Sequence, residues 1–203
     1  LLKQRSEPFS YDHVGATQVT RPATKAICPP GFRWNQHRVE LGRGESVFEH
    51  ACQSLCQWRM MPKSMTKVYW PVEPRAGVEV IVGFNLGPLR TLNPCRVIYV
   101  IDDEVSVVDS SDTGHLPHRL RRFGFGYGTL PGHAEVGEER FLVTHDFPSD
   151  LVHYELSCFS RPQHWLAKLG FPVARMIQSR FRRLSGEQMQ SSICRVGHAC
   201  PAS

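Results

Sequence analysis

The chain has 203 residues, of which 41% are hydrophobic and 21% charged, a composition typical of a globular protein and not of a disordered one. The net charge of +5 is mild, and no nucleic-acid-binding module or basic stretch with interleaved aromatic residues accompanies it, so we predict no nucleic-acid partner. No apolar stretch approaches the roughly 20 residues of a membrane-spanning helix, so we predict no transmembrane segment.

Seven cysteines are an odd number, and their spacing matches neither a zinc site nor a disulfide scaffold. We therefore expect mostly reduced thiols. This sequence does not begin with a signal peptide, and together the two observations favour a cytoplasmic or organellar, reducing compartment.

Residues 1–36 carry several prolines and little hydrophobic periodicity, so we expect an extended lead-in to a single domain over residues 37–184. A short first helix follows the lead-in. Ser46 and Glu49 match the S-x-x-E capping box, and apolar residues then recur at helical spacing. Pro62 is expected to end this helix.

Runs of β-branched and aromatic residues predict five strands. They cover residues 77–82, 95–101, 123–130, 138–145 and 151–159. The links between the last three are short enough for antiparallel hairpins. Residues 103–119 mix Asp, Ser, Gly, Pro and His, which predicts a long exposed loop.

A longer C-terminal helix is predicted over residues 160–184, with Ser160 as its N-cap and Pro162 in its first turn. The polar residues 185–203 are expected to fray. Three side chains of the helix should be buried against the sheet: Met176, Ile177 and Phe181.

The order of helix, antiparallel strands and long helix predicts an α+β fold. An antiparallel sheet with one apolar face needs a cover, and the C-terminal helix is the obvious one. A curved sheet gripping a terminal helix leaves a space between them. This arrangement resembles the helix-grip architecture of lipid-transfer and polyketide-cyclase-like proteins, with one short helix near the N-terminus.

The segment richest in residues that could form a functional site is 123–141. Strand alternation places its aromatic residues on one face and three glycines on the other. The glycine face indicates either a bent strand beneath a helix or the wall of a pocket. His133 follows in the turn, and only one of Glu138 and Glu139 can face inward because neighbours on a strand alternate. An imidazole and a carboxylate at one hairpin end can act as general acid and base. The alternative is a turn histidine bonded to the backbone.

Several segments together resemble the uncharacterised DUF1990 (UPF0548) family. They are residues 126–133, 137–141, 154–155 and 159–166, with Tyr11, 14–17, Gly42, Gly44, Trp58, 93–97, 172–175 and Gln178. The resemblance spans about residues 9–184. It implies no settled activity, and plant members of the family resemble a protein assigned as a pore of the chloroplast outer envelope. The five or six strands predicted for this chain are fewer than a strand-built pore needs.

The leading hypothesis is a domain that binds a small apolar or amphipathic molecule in a hydrophobic pocket. Such a domain can also catalyse a cofactor-free isomerisation, cyclisation or dehydration. His133 or Glu139 would be the base and Tyr127 the hydrogen-bond donor. Five further residues are candidates for ligand binding: Arg96, Thr129, Tyr154, Trp58 and Phe125.

The sequence contains no motif for a metal, nucleotide or other cofactor, so none is predicted. Two alternatives stay open. One is a non-catalytic carrier or interaction module, in which the polar groups only satisfy one another. The other is a membrane-associated, pore-like protein, as proposed for the plant relatives.

Overall fold

A computed structural model describes residues 7–18, 28–87, 89–107, 118–162 and 171–194. Its elements are a 3-10 helix Ala16–Gln18, β1 Arg33–Arg43, α1 Glu45–Cys56, β2 Thr66–Tyr69, β3 Glu79–Leu86, β4 Leu89–Val107, β5 His118–Thr129, β6 Glu135–Asp146, β7 Leu151–Pro162 and α2 Phe171–Cys194. The strands form one curved antiparallel sheet of seven strands in the order β1-β7-β6-β5-β4-β3-β2. The predicted α+β class, with a curved sheet and a long C-terminal helix, is confirmed.

Strands β1 and β2 are additions to the prediction. Strand β1 begins at Arg33, inside the expected lead-in, and pairs with β7 so that Trp34 lies opposite Phe159 and Val39 opposite Tyr154. Its sequence alternates polar and apolar residues only weakly. What holds it in the sheet is a partner more than a hundred residues away, which local patterning does not reveal.

The predicted loop over 103–119 is wrong at both ends. Residues 103–107 belong to β4 and 118–119 to β5, while 108–117 lie outside the described residues. Cross-strand ion pairs explain why such polar sequence remains in strand. Arg122 Nε and Nη2 donate to the two carboxylate oxygens of Asp103 at 2.8 and 2.7 Å, and Arg119 pairs with Glu104.

The capping box predicted for the first helix is also wrong. Helix α1 begins at Glu45, its N-cap is Gly44, and no side chain caps it. The chain turns directly from β1 into the helix, since Gly44 has a φ of 90°, a conformation that favours glycine. The helix ends at Cys56, before Pro62.

The C-terminal helix is shifted relative to its prediction. Ser160 lies in β7, opposite Arg33 of β1, so it is not a helix cap. Residues 163–170 lie outside the described part of the chain. Helix α2 then continues to Cys194, so the expected fraying from residue 185 is wrong up to that point.

Helix α2 buries a different set of side chains from the one predicted. Phe181 is buried as expected and Ile177 partly so, but Met176 is 64% exposed. The apolar face continues beyond the predicted helix, where Met189 and Ile193 are fully buried. Both helices therefore pack on one face of the sheet. The hydroxyl oxygens of Ser54 in α1 and Ser192 in α2 lie 3.1 Å apart.

Five cysteines of the described chain are free: Cys28, Cys52, Cys56, Cys95 and Cys158. Cys194 is disulfide-bonded, so the expectation of reduced thiols does not extend to it. Among the described residues, neither helix is long and apolar enough to cross a membrane.

The buried end of α2 gives a stability prediction. Replacing Ile193 by Ala should lower the free energy of unfolding by about 2–5 kcal/mol, because a fully buried side chain leaves a cavity. Ser191→Ala, at an exposed position on the same helix, should change it by less than about 0.5 kcal/mol. Urea denaturation measures both. Equal effects would mean that the end of α2 contributes nothing to the core.

Candidate functional site

A cavity of about 120 Å³ lies between the sheet and α2 and is partly open to solvent. Strands β3 to β7, the β5–β6 turn and α2 all contribute to its walls. The apolar part of the lining consists of Phe84, Ala134, Cys158, Ile177 and Phe181. The polar part consists of Thr91, Asn93, Tyr127, Thr129, His133, Glu135, Glu138, Glu139, Ser160, Gln178 and Arg182. The interior suits a group about the size of one ring.

Tyr127 and Glu139 are cross-strand neighbours on β5 and β6, and their side chains both point into this cavity. Tyr127 Oη donates a hydrogen bond of 2.6 Å to Glu139 Oε2. Burial raises the pKa of Glu139 to about 7, the charge of Glu135 adds to that effect, and the Tyr127 hydrogen bond and Arg182 oppose it. The pKa of Tyr127 lies well above its usual value, chiefly through burial. At neutral pH, Tyr127 is therefore a donor, and Glu139 is close to the midpoint of its titration.

His133 lines the same cavity from the β5–β6 turn. Its Nδ1 accepts a hydrogen bond of 2.9 Å from the backbone N–H of Glu135, and burial lowers its pKa to about 4. The imidazole is therefore neutral near pH 7, and because Nδ1 is an acceptor, the proton sits on Nε2. His133 is suited to donate a hydrogen bond, not to act as the base.

Sequence reasoning missed the contribution of α2 and of the first residue of β6. Gln178 Nε2 donates to Glu135 Oε1 at 2.7 Å, and Arg182 also lines the cavity from the helix. Burial raises the pKa of Glu135. Glu135 lies on the same strand face as Glu139, four residues away, so strand alternation was a signal that could have found it. In the sequence, Gln178 stands out only through the family resemblance.

Four of the predicted ligand-binding residues lie outside the cavity lining. Arg96 points to the opposite face of the sheet, which we call the outer face. There it bonds Glu79 Oε1 through Nε and Nη2 at 3.0 and 2.6 Å. Tyr154 is fully buried and its hydroxyl lies 2.7 Å from that of Ser185.

The other two, Trp58 and Phe125, pack against each other in the core with ring centroids 4.9 Å apart. Thr129 does line the cavity, but its hydroxyl accepts a hydrogen bond of 3.0 Å from the Gly137 N–H and is bonded to Ser10. Because these bonds occupy the Thr129 hydroxyl, it has little hydrogen-bonding capacity left for a ligand.

Glu138 faces the outer side, where residues 7–18 lie against the sheet. The residue is 2% exposed, and its carboxylate accepts hydrogen bonds from Tyr11 Oη at 2.9 Å, Gly15 N at 2.7 Å and Thr17 N at 2.8 Å. The Thr17 hydroxyl also bonds it. Glu138 therefore anchors the lead-in segment and is not available to a ligand.

The glycine face of β5 is also on the outer side, so it is not a pocket wall. A Cβ at Gly128 would collide with Tyr11 and Phe9, and one at Gly126 with the ring of Tyr99. These glycines allow aromatic side chains to lie directly on the backbone of the strand. The sequence offered two interpretations of this glycine face, a bent strand beneath a helix or the wall of a pocket. Neither is correct, because the lead-in and a neighbouring strand cover the face.

Among the described residues, no group of three or more His, Cys, Asp or Glu side chains is arranged to hold a metal ion. The absence of a cofactor stays a prediction.

Comparison with known structures gives similarities at low sequence identity. A crystal structure of Ara h 8.0201 has a TM-score of 0.46 and 7% identity, covering 81% of this chain and 99% of that one. A conserved protein from Geobacillus kaustophilus has a TM-score of 0.46 and 11% identity, covering 82% and 98%. With TM-scores below 0.5, these similarities carry no argument about function.

Sequence relatives are more informative. A UPF0548 protein of Dictyostelium discoideum is 30% identical over an alignment of 205 positions, which covers 94% of this chain and 88% of the relative. The UPF0548 protein At2g17695 of Arabidopsis thaliana is 32% identical over 189 residues, covering 88% and 84%. The family described as "Domain of unknown function (DUF1990)" matches residues 10–188. Since that match spans most of the sequence, the chain belongs to the DUF1990 (UPF0548) family.

Proposed function

We propose that this protein binds a small, largely apolar molecule between the sheet and α2, and that Glu139 and Tyr127 recognise the polar group of that molecule. The observation that carries the proposal is the 2.6 Å hydrogen bond between Tyr127 and Glu139 inside a cavity with apolar walls. An apolar cavity with a few convergent polar groups is the usual form of a small-molecule site.

The partners of Glu139 support this role. Only Oε2 is bonded to the described protein, so Oε1 is left to accept a hydrogen bond from a ligand. Glu138, its neighbour in sequence, accepts several bonds and has no such capacity. A carboxylate whose raised pKa comes mainly from burial is typical of a functional group.

The binding proposal is tested by filling the cavity. Benzyl alcohol, a neutral single-ring probe, should bind with an affinity on the order of millimolar and shift the NMR signals of backbone amides around the cavity. Ile177→Trp should abolish this binding, because the new ring occupies the space. Met176→Trp, at the exposed neighbouring position, should leave it unchanged. Equal binding to both variants would place the probe elsewhere and contradict the proposal.

The ionisation of Glu139 predicts a pH dependence of stability. Burial raises its pKa from 4.5 to about 7 in the folded protein, so the folded state holds the proton more tightly than the unfolded state. The free energy of unfolding is therefore highest below about pH 4.5 and falls by on the order of 3 kcal/mol as the pH rises to about 7. Above that pH, Glu139 causes no further loss.

Glu139→Gln should lack this decline. The difference in unfolding free energy between variant and wild type, measured by urea denaturation from pH 4.5 to 8, should change steadily up to about pH 7 and then level off. Glu49→Gln, at an exposed site on α1, should follow the wild type at every pH. A constant difference for Glu139→Gln would mean that this carboxyl titrates normally.

Proton transfer is the second candidate function, and the pKa of Glu139 favours it. A base is most effective when its pKa lies near the working pH. In the simplest step, Glu139 takes a proton from one atom of the ligand and returns it to the same or another atom. His133, which lines the same cavity, can donate its Nε2–H to the negative charge that develops meanwhile. No electrons leave the ligand, and no co-reactant is required.

Deuterium exchange at the methyl group of acetophenone in D₂O tests this second candidate. The wild type should accelerate loss of the methyl proton signal, and Glu139→Gln should reduce that acceleration by about 10²–10⁴-fold. Glu49→Gln is again the matched control. If the wild-type protein binds acetophenone but does not accelerate the exchange, the proton-transfer function is excluded and the carrier function remains.

A further inference from the structure

We infer that the natural ligand of this cavity carries one positively charged amino group. This inference rests on the proposed function, since it concerns the same site. It follows from the charges that line the cavity and from the hydrogen-bonding capacity that they leave unused.

Strand β6 contributes all three acidic residues of the lining, and two of them face the cavity. Glu135 and Glu139 lie on one strand face, with Gly137 between them contributing only backbone to the cavity. They are close enough for the charge of Glu135 to raise the pKa of Glu139. The third glutamate of the segment, Glu138, is directed to the outer face and bonded to the lead-in.

Arg182 of α2 is the only cationic side chain among the described lining residues, because His133 is neutral near pH 7. Two carboxylates and one guanidinium leave one negative charge in excess when both acids are ionised. Buried charges are costly unless they are compensated. A single positive charge on the ligand balances the site, whereas an anionic ligand adds to the excess.

Hydrogen bonding favours the same chemistry. Glu135 accepts from Gln178 and from Ser160, and Glu139 Oε2 accepts from Tyr127, so both carboxylates are held in place by neutral donors. Glu139 Oε1 has no bond within the described chain. An ammonium group presents three donors and forms charge-assisted bonds to carboxylates, which are roughly twice as strong as neutral ones. The apolar walls then receive the rest of the ligand.

Titratable groups lie near Glu139 on every element around it. Glu135 on β6, Tyr127 on β5 and Arg182 on α2 shift its pKa. Cys95 on β4, and Cys158 and Tyr154 on β7, lie close enough for the charge of Glu139 to raise their own pKa values. The two thiols are neutral, since burial raises the pKa of Cys158 and that of Cys95 well above the usual range. A bound ammonium group therefore adds a positive charge next to Glu139. This charge should lower the pKa of Glu139, so that part of the protein population releases a proton on binding.

Three probes of the same shape separate the possible ligand charges: benzylamine, benzyl alcohol and benzoate. At pH 7, titration calorimetry should show benzylamine binding at least tenfold more tightly than benzyl alcohol, and benzoate binding more weakly than either. Comparing buffers with different ionisation enthalpies should show release of a fraction of a proton with benzylamine and none with benzyl alcohol.

Glu139→Gln should remove about tenfold of the benzylamine affinity and the proton release, and it should lower the benzyl alcohol affinity by a smaller factor. Glu135→Gln provides a second variant in case Glu139→Gln folds poorly, and should also weaken benzylamine selectively. Glu187→Gln, outside the cavity, should leave all three affinities unchanged.

The outcomes distinguish this inference from the proposed function. If benzyl alcohol binds in the cavity and benzylamine binds no more tightly, the amine inference is overturned and the binding proposal stands. If benzoate binds best, Arg182 sets the charge preference and the inference is also overturned. If the Ile177→Trp variant still binds every probe as tightly as the wild type does, the binding proposal itself fails.

Discussion

Two adjacent carboxylates on β6, Glu138 and Glu139, are each bonded by a tyrosine hydroxyl, but on opposite faces of the sheet. This arrangement is possible only because the strand is covered on both sides, by residues 7–18 on the outer face and by α2 on the other. Glu138 accepts several protein hydrogen bonds and holds the lead-in. Glu139 accepts one and remains partly accessible to the cavity. The difference in bonding separates a structural carboxylate from a candidate functional one.

The cavity exists because α2 is held firmly at one part of its length and stands over the sheet at another. Towards its C-terminal end, Met189 and Ile193 are buried in the core, and Ser192 bonds α1. Nearer the start of the described helix, Ile177 and Gln178 line the open space. Packing energy is concentrated where the helix closes on the core, so the lining positions are free to carry polar groups.

The polar groups of the cavity form a small set with distinct capacities. Tyr127 is a donor, His133 offers one N–H, and Glu139 can change its charge near neutral pH. Placed in water, these side chains would behave as ordinary surface groups. Burial separates their properties, because desolvation penalises the charged form of each one. The cavity's chemistry therefore depends on the cover that α2 provides.

The sequence by itself determined the fold class and the hairpin that brings Tyr127, His133 and Glu139 together. Alternation along a strand and the short turn between strands are local properties that can be read from neighbouring residues. Tertiary structure alone decided which of Glu138 and Glu139 faces the cavity, why Arg96 lies on the outer face, and which residues of α2 complete the site. It also decided that β1 pairs with β7 and that the helix stays packed to Cys194. The physical reason is that burial, strand pairing and pKa values are set by groups distant in sequence, and their contacts form only when the whole chain is folded.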